Sequence, residues 1–125
     1  MFKIENKQIH LTRGDVANIG VSVKNEDGTD YEFRAGDVVR FTVFKKKDCN
    51  CVELTKDVTV DVAGLEVEVH LTEEDTKIDG IISKPVEYWY EVVLNPNTKP
   101  QTIIGYDTDG AKVITLYPEA SDKEW

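Results

Sequence analysis

Arg13-Gly14-Asp15 is the first residue group whose types could do chemistry; it lies within HLTRGDVANIGVSV, His10 to Val23. Displayed on an exposed extracellular loop, such a tripeptide docks to receptors. Here it precedes an alternating run, Ile19, Val21 and Val23, so a turn between two strands is expected. Gly14 would take the backbone angles that other residues avoid, with Arg13 and Asp15 solvated or paired locally. Nucleophilic catalysis has little to draw on. Ser22, Ser83 and Ser121 are the only serines, and none sits in a G-x-S-x-G setting. His10 and His70 each fall in alternating stretches and read as residues on the wet faces of strands. Glu66 with Glu68, and Glu87 with Glu91, read as solvated sheet surface; acid–base hydrolysis would need two carboxyls converging on a cleft. No catalytic residue, cofactor or metal site is expected.

Metal-binding patterns are equally thin. The acidic NEDGTD segment, Asn25 to Asp30, lacks the ligand spacing of a calcium loop and reads as a turn. Cys49 and Cys51 form a C-x-C pair, too few for a structural zinc site without distant ligands. They read as inert thiols at a loop tip, with a metal or a disulfide as the alternatives. Lys45, Lys46 and Lys47 form the one dense cationic cluster. The plain expectation is a solvated loop that discourages edge-to-edge strand pairing; the sharper one is contact with an acidic partner. Trp89 is the most informative aromatic. With Tyr88, Tyr90, Val92 and Leu94 facing a core, Trp89 and Val93 face outward between Glu87 and Glu91. Exposed Trp is costly and is enriched at binding hot spots; the alternative is that a loop or the C-terminal tail covers it.

These residues must be held by a single domain of 125 residues with a net charge of −9. A chain of that length hides roughly 65–70% of its unfolded surface, so one ordinary core suffices. The acidic balance argues against nucleic acid and against anionic membranes, and leaves protein or carbohydrate partners open. Met1 to Glu5 holds no signal-peptide run and no window reaches transmembrane length, so synthesis in the cytoplasm is expected.

The dominant period is two, the signature of strands with one buried face. LEVEVHL sets Leu65, Val67, Val69 and Leu71 against Glu66, Glu68 and His70. VVRFTVF sets Val39, Phe41 and Val43 against Val38, Arg40, Thr42 and Phe44. CVELTKDVTV sets Val52, Leu54, Lys56, Val58 and Val60 on one side. KQIHL, NIGVSV, VEYWYEVVL, QTIIGY and AKVITLY complete about eight strands. Gly28, Gly36, Gly64 and the Asn95-Pro96 segment mark turns between them, and Asp109-Gly110 marks a hairpin. Thr72 with Asp75 matches a capping box, so a short helical turn near 72–78 is expected, linking strands across two sheets. The spacing predicts an all-β sandwich or barrel of about eight antiparallel strands over residues 1–118, with a polar tail, 119–125, that frays unless Trp125 docks.

The order of LTRGDVANIGVSV, DYEFRAGDVVRFTV, LTEEDTKI, VEYWYEVVL and TIIGYDTDGAKVITLYPE resembles the N-terminal domain of phage baseplate upper proteins and related tail proteins from siphophages and prophages of Gram-positive bacteria. The matching positions are Arg13 to Asp15, Tyr31 to Val43, Thr72 to Thr76, Tyr88 to Val92 and Thr102 to Pro118. The resemblance implies an immunoglobulin-like β-sandwich that assembles into a virion and carries no catalysis. It further implies other tail or baseplate proteins as partners, homo-oligomers as an option under ring symmetry, and the virion as final location. Trp89, Val93 and the Lys45–Lys47 loop are the expected interface. The rival expectation is a carbohydrate-binding module recognising host cell-wall glycans, with Trp89, Tyr106 and Tyr117 as a stacking platform. A small secreted adhesion domain is a third.

Overall fold

The computed structural model describes residues 2–5, 8–25, 27–45, 52–77, 84–104 and 112–118. Cys49, Cys51, Lys46, Lys47, Ser83, Tyr106, Asp109-Gly110 and the 119–125 tail lie outside them. The described residues form nine strands and no helix: β1 Phe2–Glu5, β2 Gln8–Thr12, β3 Ala17–Val21, β4 Val38–Phe44, β5 Val52–Thr59, β6 Val67–Leu71, β7 Val86–Leu94, β8 Gln101–Ile104 and β9 Lys112–Tyr117.

Seven strands make one sheet, in the order β1-β2-β9-β7-β4-β5 with β8 beside β7; β3 and β6 make a second, two-stranded sheet. The oily sets read from the alternation meet between the two. Val39, Phe41 and Val43 of β4, with Tyr88, Tyr90, Val92 and Leu94 of β7, pack against Ile19 and Val21 of β3 and Val67, Val69 and Leu71 of β6. Ile9 and Leu11 of β2 and Ile114 and Leu116 of β9 extend that interior, and Phe33 is fully enclosed. Each such side chain contributes about 1.5–3 kcal/mol by leaving water. The fold is therefore an all-β, two-sheet arrangement.

Several expectations need correction. Strand pairing is not uniformly antiparallel, because β2 and β9 run parallel, Ile9 opposite Ile114 and Leu11 opposite Leu116. A parallel neighbour cannot be reached through a tight turn, and here nearly the whole chain intervenes. Among the described residues, Gln101–Ile104 and Lys112–Tyr117 are not paired with each other as a hairpin. β8 and β9 both run antiparallel to β7 along its one edge, β8 on Val92–Leu94 and β9 on Val86–Tyr90. Leu65 is exposed ahead of β6, so the core set of that segment begins at Val67. Val52 is also exposed. A register irregularity between Val43 and Phe44 puts Leu54 opposite Val43 but Val52 opposite Phe44, leaving Glu53 as the extra residue. A bulge of this kind turns the following side chain to the other face.

The segment expected to be a helical turn is a single hydrogen-bonded turn. Thr76 N–H donates to the Thr72 carbonyl at 3.2 Å and Lys77 N–H to the Glu74 carbonyl at 3.1 Å. Its capping box is complete: Asp75 N–H donates to the Thr72 hydroxyl at 3.2 Å, and Thr72 N–H donates to the Asp75 carboxylate at 2.9 Å. At the other end of the sandwich, Asp37 ties three segments together. Its carboxylate accepts from the Tyr31 hydroxyl at 2.8 Å, from Arg34 N–H at 2.9 Å and from the Asn95 amide at 3.2 Å. Asn95, at φ 50, accepts in turn from Val38 N–H at 2.9 Å. Asn is among the few residues that tolerate that left-handed backbone.

Candidate docking face

Arg13-Gly14-Asp15 is a turn between β2 and β3. Gly14 has φ 89, and Asp15 N–H donates to the Thr12 carbonyl at 3.0 Å. Of the two expectations for Arg13, the solvated one fails: it is 6% exposed. With its arginine enclosed and Gly14 N–H bonded to the Thr76 hydroxyl at 2.9 Å, the tripeptide is not displayed as a ligand. The described residues of NEDGTD, Asn25 and Asp27 to Asp30, also close a turn. Asp27 accepts from the Thr29 N–H and hydroxyl, which hold its carboxyl below the usual range, and Lys24 pairs with Asp30. His10 bonds the Tyr117 hydroxyl at 3.0 Å, and His70 bonds Asn18; both lie on outward faces. Among the described residues no group of three His, Cys, Asp or Glu converges as a metal site. No helix among them is long and apolar enough to cross a membrane.

The outer face of the seven-stranded sheet carries apolar residues that the core does not use. Cross-strand register places Val52 opposite Phe44, Phe44 opposite Trp89 and Trp89 opposite Val113. Directly opposed side chains on one sheet face lie about 4.5–5.5 Å apart at Cβ. The four therefore form a continuous apolar row across β5, β4, β7 and β9. Phe44 and Trp89 meet edge to face, with centroids 6.2 Å apart and planes at 78°. Val52 is 58% exposed; the other three are half-buried.

Below that row lies a polar one. Thr42 opposes Thr55 on one side and Glu91 on the other. Thr42, Phe44, Val52 and Glu91 line an open notch of about 250 Å³. One row further, Arg40 grips Asp57 through two bonds, 2.8 and 3.0 Å, and that guanidinium holds the Asp57 carboxyl below its ordinary value. Lys45, at the end of β4, lies 3.7 Å from Glu53.

Of the expected interface residues, Trp89 and Val93 share this face. They are not neighbours: Val93 lies two rows away, opposite Arg40 and Thr102. Lys45 is at the rim, exposed as expected; Lys46 and Lys47 lie outside the described residues. Phe44, Val52 and Val113 were not singled out. Phe44 was already placed outward by the alternation of β4, but its partnership with Trp89 depends on how two strands pair. A larger open cleft, about 560 Å³, lies among Val23, Lys24, Asn25, Tyr31, Leu94 and Gln101–Ile103. Three of its polar side chains are already engaged: Lys24 with Asp30, Asn25 with Thr29, and Tyr31 with Asp37. The smaller notch is the better candidate because an apolar row adjoins it. Compared with known protein families, with curated proteins and with solved structures, the chain matches none.

Proposed function

We propose that this chain is a non-catalytic docking module of a phage or prophage virion, an immunoglobulin-like sandwich that binds neighbouring tail or baseplate proteins through the outer face of its large sheet. The observation that carries the docking part is the Val52–Phe44–Trp89–Val113 row. A sheet face that only meets water has no use for four aligned apolar side chains, whereas protein interfaces are built on aromatic anchors set in a polar rim. The virion part rests on the resemblance in the order of sequence motifs.

A sugar-stacking platform is less well supported. Trp89 and Phe44 stand nearly perpendicular, which makes a ridge rather than a flat shelf. Tyr117, the other described member of that platform, is bonded to His10. The deciding experiment is capture of proteins from induced phage particles on the immobilised chain. Retention of tail proteins by the wild type, lost in Trp89→Ala with the fold preserved, is expected. Binding to cell-wall glycan arrays without retention of any virion protein would replace this reading with the carbohydrate one.

A further inference from the structure

We infer that the notch beside Trp89 receives an arginine or lysine side chain from a different, positively charged protein; the inference rests on the reading of this sheet face as a docking surface and names the partner's chemistry. The notch has two apolar walls, Phe44 and Val52, one hydroxyl, Thr42, and one carboxylate, Glu91. Glu91 is half-buried and makes no hydrogen bond or ion pair among the described residues. Two carboxylates of β5 and one in the turn after β6 each have a cation. Asp57 holds Arg40 at 2.8 Å, Glu53 faces Lys45 at 3.7 Å, and Asp75 takes Lys56 at 2.7 Å. A carboxylate that has lost part of its hydration and gained no cation is an unmet electrostatic demand.

A long basic side chain answers each wall of the notch. Its methylene stem suits Phe44 and Val52, its donors suit Glu91 and the Thr42 hydroxyl, and its charge is favoured beside an aromatic ring such as Trp89. An apolar side chain would strip Glu91 of water without replacement. A second copy of the chain is disfavoured by charge, since each copy carries −9 overall and like charges oppose approach. The occupant is therefore a heterologous protein with a basic patch around an apolar anchor.

The probe is a random dodecapeptide library, displayed and selected on the purified full chain at low salt. Enrichment of peptides with Arg or Lys beside an apolar residue is expected, with affinity falling about tenfold or more when Glu91→Gln removes the charge. Val52→Lys, at an exposed position, brings an intramolecular cation to the notch and should weaken the same peptides. Unchanged urea midpoints establish that both variants fold. Selected peptides that lack basic residues, or that ignore Glu91→Gln, overturn the inference; if they are still lost in Val52→Ser or Trp89→Ala, the docking face survives. Peptides indifferent to every outer-face substitution, or no enrichment, overturn both. A concentration-dependent dimer dissolved by Val52→Lys would make the occupant a second copy and overturn the inference.

Discussion

The Thr76 hydroxyl accepts a hydrogen bond from Gly14 N–H at 2.9 Å, joining two turns 62 positions apart in the chain. The same oxygen lies 3.0 Å from the Asp15 carbonyl, to which it can donate. Thr76 is buried, and its hydroxyl satisfies backbone groups of the half-buried Gly14–Asp15 turn. Thr76→Val keeps the volume and removes the bonds, and should lower stability by about 1–3 kcal/mol in urea denaturation. Thr76→Ser should retain most of it. Gly14→Ala should cost about 1 kcal/mol or more, because φ 89 strains any residue with a Cβ.

Acid stability follows from the carboxylates at the two ends of the sandwich. The Arg34 backbone N–H, with the Tyr31 hydroxyl and the Asn95 amide, holds the Asp37 carboxyl below its usual value against the opposing effect of burial. A folded-state value below the unfolded one means the unfolded chain binds more protons in between, so stability rises with pH there. The contribution is complete above the unfolded value, about 3.9, and is lost as pH falls through the lower folded value. Asp37→Asn should cost about 1 kcal/mol at neutral pH and flatten the acid limb of a stability–pH curve measured by urea titration. A variant as acid-sensitive as the wild type would remove Asp37 from this role.

How far the sequence revealed this molecule depends on how far apart the contacting residues lie. The buried sets of β4, β6 and β7 follow from alternation alone, because the strand's two-residue period is local. The reciprocal Thr72–Asp75 capping bonds are equally local, and their spacing announced them. What alternation does not carry is pairing. That β9 lies parallel to β2, that β8 and β9 share one edge of β7, and that Phe44 opposes Trp89 are all choices between distant segments. Val52 shows the cost of extending a local rule too far. The period of two put it with Leu54, and a single bulge at Glu53 moved it to the outer row. Residue type leaves Arg13 either solvated or paired locally, and only the packing of the turn against the rest of the fold decides that it is enclosed. The candidate face was thus half-legible, as two outward residues on one strand without the neighbours that make them a surface.

Tyr90 provides an alkaline counterpart to Asp37. Burial pushes its phenol up to about 12, and its ring stacks on Phe41 at 5.5 Å. The unfolded phenol ionises near 10. Between those values the folded state binds more protons than the unfolded one, so stability falls as pH rises. Ultraviolet titration of phenolate formation should show a late-titrating tyrosine in the folded chain that becomes ordinary in denaturant. Tyr90→Phe should remove one late-titrating phenol and leave that of Tyr31, which burial and the neighbouring Asp37 also raise.

Lys56 tests how the edge of β5, the last strand in the described order, is kept from pairing with other chains. β5 ends the strand order, yet Lys56 lies opposite Phe41 on the inward side and reaches Asp75 in the Thr72–Thr76 turn at 2.7 Å. An inward-pointing charge at a sheet edge, next to a bulge, is a recognised guard against edge-to-edge association. Burial alone would raise the Asp75 carboxyl, but Lys56 and Thr72 together hold it below its ordinary value. Lys56→Met removes the ammonium and leaves burial less opposed, so the folded Asp75 value should rise and the acid unfolding midpoint should move to higher pH. The loss at neutral pH should be about 1 kcal/mol, since both partners retain some solvent access. Light scattering on concentrated samples should also increase, because an apolar side chain at that position no longer penalises a docked strand. Pairing Lys56→Met with Asp75→Asn separates the two effects. The double variant should regain the wild-type acid midpoint only in part while still aggregating. A Lys56→Met chain that stays monomeric at high concentration would show that the bulge alone protects the edge.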